Sequence, residues 1–362
     1  MTRESFLKVA GLVSPVVGLK PNLPVLNNVL LVVDSGKLEL TATNLETTIT
    51  IKTPVKVIAK GKTTVPARVL VDFCQTSGGE QVNLKLEKES LLMEANKARG
   101  VLPTINPNEF PSLGDFDTTN SVTIEKDRFL EAVSQVAFSA APEEGRPVLT
   151  GVLLTADEKR ISLVATDGYR LAKKEIKGAG VFEAVIPAKA LRESVKALDG
   201  QEDERLELAI NKEKNQCRLK TKNLTITSRL LEGHYPNYEQ IIPDTFIGEL
   251  VVDTKELVSA IKLAALFARD VGNVVRFESS ERQLKVEAST AQVGEAETAL
   301  TVKNGGEKLK TAFNSRFLLD CLGTIKNKET TISFSGPTNA ARFRGKDESS
   351  LMHIVMPVRV QS

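Results

Sequence analysis

Tryptophan is absent from this sequence, histidine occurs twice and cysteine three times. Cys74, Cys217 and Cys321 are odd in number, far apart and outside any C-x-x-C pattern. They therefore support neither a disulfide framework nor a zinc cage, and read as buried thiols. His234 lies in Gly233-His234-Tyr235-Pro236 and His353 in an apolar C-terminal segment, neither with a Cys or His neighbour at ligand spacing. No metal or cofactor is expected. Phosphate-binding glycine loops, nucleophile elbows and H-E-x-x-H are missing too. Carboxylate groups such as Glu143-Glu144 and Glu202-Asp203-Glu204 sit in polar runs that suit a solvated surface better than acid–base work. The inventory points away from an enzyme.

Long apolar runs are also lacking. Val29 to Val33, the longest near the start, has five residues, against the ~20 that a membrane-spanning helix needs. The N-terminal Thr2-Arg3-Glu4 opens no signal-peptide core, so a cytoplasmic location and no membrane partner are expected. An excess of charge is missing as well: 48 Lys and Arg face 46 Asp and Glu, leaving +2. Such a chain binds a polyanion only if its cations are sorted onto one surface.

What is present is repetition. With 41% hydrophobic and 26% charged residues the chain has a globular balance, and 362 residues suit two or three domains at about 150 each. Pro24-Val25-Leu26-Asn27-Asn28-Val29-Leu30-Leu31 recurs 123 residues later as Pro147-Val148-Leu149-Thr150-Gly151-Val152-Leu153-Leu154, and Ala42-Thr43-Asn44 recurs at the same offset as Ala165-Thr166-Asp167. A third copy shows in the order of elements. Helical stripes at i, i+3, i+4, i+7 fall at Phe6, Val9, Ala10, Val13, then Phe129, Ala132, Val133, Val136, then Leu257, Ala260, Ile261, Ala264. A second helix follows in each copy: Leu70, Phe73, Cys74, Ser77 after Pro66; Leu191, Val195, Leu198 after Pro187; and Leu318, Cys321, Leu322, Ile325 after Asn314. The prolines are expected inside the first helical turn and Asn314 as a cap. Strand-rich segments lie between, such as Lys37 to Ile51, Arg160 to Ala172 and Gln283 to Val302, with a turn at Asp34-Ser35-Gly36. The expected fold is α+β: three tandem copies of an antiparallel sheet covered by two helices, at 1–118, 119–243 and 244–362. Lys189, Arg192 and Lys196 share a face of the middle copy's second helix, with Arg68, Arg316 and Lys326 on the equivalent helices.

The landmarks Leu23-Pro24-Val25-Leu26-Asn27-Asn28, Thr63-Thr64-Val65-Pro66-Ala67-Arg68, Phe110-Pro111-Ser112-Leu113, Val164-Ala165-Thr166-Asp167-Gly168-Tyr169-Arg170-Leu171-Ala172, Tyr235-Pro236-Asn237-Tyr238 and Val355-Met356-Pro357-Val358-Arg359 run end to end. In these the chain resembles the bacterial β sliding clamps, the processivity subunits of DNA polymerase III. The resemblance implies a non-catalytic protein whose homodimer closes head to tail into a six-domain ring around double-stranded DNA. It would place Lys20, Arg68, Lys189, Arg192 and Lys196 toward the phosphates, without reading sequence. It implies a peptide pocket between the second and third domains at Leu149, Thr166, Gly168, Tyr169, Arg170, Leu171, Pro236, Ile241, Ile354, Val355, Met356 and Pro357. Its occupants would be the polymerase III catalytic subunit, the clamp loader, other polymerases, ligase and mismatch-repair proteins. Leu102, Leu266 and Phe267 would form the dimer interface. The chain departs from the pattern in an acidic loop at 142–147, in Gly100 where a large aromatic packs at the subunit interface, and in the terminal Gln361-Ser362. Gly100 favours the alternative, a monomeric clamp-fold adaptor that binds peptides without encircling DNA.

Overall fold

The computed structural model describes residues 1–18, 23–112, 114, 116–117, 121–142, 145–269, 272–303 and 308–359. Among the described residues six α-helices stand where the periodicity puts them, α1 Arg3–Val13, α2 Ala67–Thr76, α3 Lys126–Val136, α4 Ala188–Leu198, α5 Thr254–Ala268 and α6 Ser315–Leu322, except that α6 stops at Gly323 and leaves Ile325 and Lys326 beyond its end. Their inward stripes are buried: Phe6 and Val13 on α1, Phe129 and Val136 on α3, and Leu257 and Ile261 on α5 are at most 1% exposed. The starts are fixed by side chains that accept from otherwise unpaired N–H groups. Thr2 accepts from Ser5, Asp253 from Lys255 and Glu256, and Asn314 from Arg316. Pro66 and Pro187 differ from expectation, since both end the preceding strand and stand just before α2 and α4. A ring that fixes φ fits either side of that boundary, and a ψ of 117° puts Pro66 on the strand side.

The contacts divide the chain into two compact units, residues 1–130 with 190–230 and residues 131–189 with 231–362. The first contains an eight-stranded antiparallel sheet in the order Gly61–Pro66, Asn28–Asp34, Lys37–Thr43, Thr47–Pro54, Leu224–Arg229, Gln216–Lys220, Arg205–Asn211, Ser121–Glu125. The second has an equivalent sheet ordered Phe182–Pro187, Gly151–Ala156, Arg160–Thr166, Arg170–Lys177, Leu351–Val355, Ala341–Gly345, Glu329–Phe334, Gly248–Asp253. Each sheet joins four strands of one repeat to four of the next, which is why the units cut across a threefold repeat. Ser35 and Gly36, both at positive φ, make the two-residue turn into Lys37–Thr43.

Two smaller sheets remain. Asn83–Glu87, Ser90–Ala95 and Ala98–Pro103 form a three-stranded sheet in the first unit; Gly294–Thr301, Gln283–Thr290, Val274–Ser279 and Leu309–Asn314 form a four-stranded one in the second. Ala98–Pro103 is an edge of one and Gly294–Thr301 an edge of the other. In the first unit α1 packs on α2, and Leu38, Leu40, Ile49, Leu70 and Met93 are fully buried. In the second, α5 packs on α6 and on the four-stranded sheet. There the Phe313 ring meets Phe277 at 5.5 Å and Phe343 at 5.8 Å, both edge to face. All three cysteines are buried and free. Truncating Phe313 to Ala removes both ring contacts and leaves a cavity, so it should destabilise the second unit by about 3–5 kcal/mol. Urea titration followed by circular dichroism measures this; a loss below about 1 kcal/mol would show that the ring cluster does not hold the core.

Candidate functional site

The second unit carries, apart from its main core, a smaller apolar cluster. Leu153, Val164, Leu171, Val185, Ala340 and Ile354 are its buried floor, and Val148, Leu231, Tyr235, Tyr238, Ile241, Ile242 and Met352 pack on it while reaching the surface. Two neighbouring strands supply the centre, pairing Arg170 with Val355 and Leu171 with Ile354. Successive residues of a strand face opposite ways, so Ile354 enters the cluster while Val355 enters the main core. Leu149 is buried, Pro236 and Met356 are exposed, and Ile241 and Pro357 are half-buried.

The turn after Arg160–Thr166 is held by its own side chains. The Thr166 hydroxyl donates to the Arg170 carbonyl at 2.6 Å and accepts from Gly168 N–H at 3.1 Å. One Asp167 carboxylate oxygen accepts from the N–H groups of Tyr169 and Arg170 at 2.9 and 3.0 Å. Gly168 has φ +89°, and a Cβ there would meet nothing within 4 Å, so glycine is required for conformation rather than for space. The turn leaves the Tyr169 side chain 67% exposed, against Phe317 at a centroid distance of 6.5 Å. The Tyr169 carbonyl accepts from Met356 N–H at 2.9 Å, tying the C-terminal segment to the turn.

Arg170 is the polar centre. Its guanidinium donates to Asp167 at 3.1 Å, to Asp320 at 2.5 Å and to the Phe138 carbonyl at 3.0 Å. It also lies over the Phe317 ring at 4.6 Å and the Phe138 ring at 5.2 Å. Tyr235 accepts from Thr166 N–H at 3.1 Å, and burial raises its hydroxyl pKa, so it stays neutral. Tyr235 and Tyr238 flank Pro236 in the Tyr235-Pro236-Asn237-Tyr238 landmark and pack on the cluster, and the three-residue spacing of Tyr235, Tyr238 and Ile241 is the sequence signal that marks them. Arg170's partners Phe138, Phe317 and Asp320 are remote in sequence and left none.

Beneath this lies His353, buried, its ring 5.7 Å from Phe138. Thr324 donates its hydroxyl hydrogen to the Cys321 carbonyl at 2.8 Å, so His353 Nε2, 2.8 Å from the Thr324 hydroxyl oxygen, is the donor of that second pair. Nδ1 is then a bare acceptor without a partner. Burial first, then the nearby Arg170 and Lys174 charges, push the imidazole down to about 3.

The other predicted positions lie elsewhere. Arg68 on α2 and Lys189, Arg192 and Lys196 on α4 are exposed. Lys20, Leu113, Glu143, Glu144, the 115–120 boundary except 116–117, and Gln361-Ser362 fall outside the described residues. Leu102 is 5% exposed, Leu266 52%, and Phe267 half-buried. Among the described residues no group of three or more His, Cys, Asp or Glu is placed to hold a metal ion, and no helix is long and apolar enough to cross a membrane.

Residues 1–114, 123–237 and 239–359 match sequence models of the N-terminal, central and C-terminal domains of the DNA polymerase III beta subunit. The chain is 30% identical over 364 residues to the beta sliding clamp of Pseudomonas aeruginosa, covering 99% of this chain and 98% of that one. It is 28% identical over 369 residues to that of Haemophilus influenzae, covering 99% of each. Among solved structures, the P. aeruginosa DNA polymerase III subunit beta superposes with TM-score 0.93 at 29% identity over 99% of both chains. The Thermotoga maritima beta subunit gives 0.93 at 25% identity over 100% of this chain and 99% of that one.

The histidine generates a pH signature. Its folded pKa of about 3 lies below the usual 6.5, so the unfolded chain binds the extra proton, and this contribution is intact above pH 6.5 and lost as pH falls toward 3. Between pH 6.5 and 5 stability should fall by up to about 1.4 kcal/mol per pH unit from this group, and His353→Gln should remove that slope. Denaturant titrations at pH 5, 6 and 7 measure it; parallel curves for the two proteins would contradict the assignment.

Proposed function

The chain belongs to the DNA polymerase III beta subunit family, a DNA sliding clamp without catalytic activity, and from that we propose that two copies close head to tail into a ring. Within each molecule the three repeated copies are divided at 118/119 and 243/244. One observation carries the reading. In the first unit Thr47–Pro54 pairs with Leu224–Arg229, and in the second Arg170–Lys177 pairs with Leu351–Val355. Each time the third strand of a copy's first half meets the third strand of the next copy's second half. The third copy's Gly294–Thr301 and the first copy's Ala98–Pro103 are the remaining strands of those two kinds, both sheet edges. Paired across two molecules, twice, they continue the same rule and leave neither of these two edges open. The charges suit this: Lys97 precedes one strand and Arg99 lies on it, Glu295 and Glu297 lie on the other, and all four are exposed.

Such a ring encloses duplex DNA. Arg68, Lys189, Arg192 and Lys196, with Lys20, face phosphates and make weak, sequence-independent, salt-sensitive contacts, while retention comes from closure. The net charge of +2 fits a protein that must slide rather than grip.

The cluster around Leu171, Ile354, Tyr235 and Ile241 is the docking site for short linear peptides. Buried aliphatic residues supply the floor, Met356 and Met352 an adaptable wall, and the exposed Tyr169 beside the left-handed Gly168 an edge. Its occupants are the polymerase III catalytic subunit, the clamp loader, other polymerases, ligase and mismatch-repair proteins, all in the cytoplasm. The equivalent turn of the first copy has Leu45, Glu46 and Thr47 in place of Gly168, Tyr169 and Arg170, which supports one such site per chain.

Met356→Ala combined with Pro357→Ala should abolish binding of a fluorescent peptide with Leu and Phe anchors, measured by anisotropy, while the melting temperature stays within a few degrees of the parent. Unchanged affinity in the folded variant rejects the pocket.

A further inference from the structure

Gly100 is where the sequence suggests a gap in the subunit interface, and the geometry there is not a gap. A Cβ at Gly100 would lie 2.8 Å from Cε2 and 3.0 Å from Cδ2 of Phe73. The Phe73 ring, reaching over from α2, already fills the space above the edge strand. Gly100 has no left-handed backbone, so its hydrogen serves close approach rather than conformation.

We propose that Phe73, seated on Gly100, is the aromatic anchor that the first copy presents to a second molecule of this chain; this rests on the ring reading above. Phe73 is half-buried, and Val69, one turn earlier on α2, is 48% exposed. Val101, next to Gly100, is 59% exposed on the opposite face of the same edge strand. A groove of about 390 Å³ runs between helix and strand, lined by Val69, Asp72, Phe73, Thr76, Ser77 and Ala98. An aromatic and a valine on α2 beside an unpaired strand edge invite cover.

The matching face is that of α5 with Gly294–Thr301. Leu263 and Leu266, three residues apart on α5, are 45% and 52% exposed, and the half-buried Phe267 lies beside Gly294. Glu295 and Glu297 on that strand are exposed, Glu297 beside Lys285 of its own sheet at 3.3 Å, and in the paired ring they complement the exposed Lys97 and Arg99 at the other edge. Aromatic density thus comes from the helix instead of the strand, and a side chain at position 100 and a ring at position 73 exclude each other.

Sedimentation equilibrium over a dilution series tests this with the full-length protein. The parent should hold twice 39.4 kDa, and Phe73→Ala should raise the dimer dissociation constant about 30-fold or more. Gly100→Phe alone, which drives Phe73 from its seat, should weaken the dimer as well, and Phe73→Ala with Gly100→Phe should recover most of the loss. Far-UV circular dichroism reports folding; if Phe73→Ala unfolds, the exchanged pair decides, and no recovery over Gly100→Phe overturns the anchor. A folded Phe73→Ala with the parent's dissociation constant also overturns it and leaves the ring intact. A parent that is monomeric at micromolar concentration overturns the ring reading itself.

Discussion

The backbone N–H and C=O groups along a strand edge must find partners, and in this chain that requirement decides how far each sheet runs. No repeat completes its own sheets. Each eight-stranded sheet is built from halves of two successive copies, joined at Thr47–Pro54 with Leu224–Arg229 and at Arg170–Lys177 with Leu351–Val355. A chain of three copies built by this rule ends with two half-sheets, one of three strands and one of four. Oligomerisation then needs no interface of a new kind, only a further use of the pairing already made inside the chain. In the proposed ring the side chains select which edges meet, through charge and through the Phe73–Gly100 packing.

The candidate peptide site depends on the same junction. Arg170–Lys177 and Leu351–Val355 are neighbours because two copies share a sheet, and that pairing brings Leu171 beside Ile354. The Thr166–Asp167–Gly168 turn then exposes Tyr169, and Arg170 is locked by two carboxylates, a carbonyl and two rings. A hydrogen-bonded strand pair below and the exposed Tyr169 and Met356 above suit a surface that accepts several related peptides.

Much of this was legible in the sequence where one element dictates the outcome. The α1, α3 and α5 stripes, the Asn314 cap, the Ser35-Gly36 turn and the buried cysteines follow from local periodicity and backbone chemistry. The misplaced prolines belong to the same scale, since a one-residue shift changes no local rule. Relations between distant elements were not legible. Val355 faces the main core because of strand parity at a junction that sequence alone does not register. Phe73 and Gly100 are 27 positions apart, and their complementarity of ring and missing side chain exists only once α2 crosses the edge strand. Phe138, Phe317 and Asp320 meet at Arg170 for equally non-local reasons.

A nearly neutral chain with a few exposed cations on α2 and α4 is suited to hold DNA by enclosure rather than by affinity. The direct measurement is retention of the clamp, placed by a clamp loader, on circular DNA at about 0.5 M salt, where screening removes phosphate contacts. Enclosure predicts that the protein stays on the circle and leaves promptly once the circle is cut. Loss from the intact circle at that salt, or equal retention on circle and cut DNA, would contradict it.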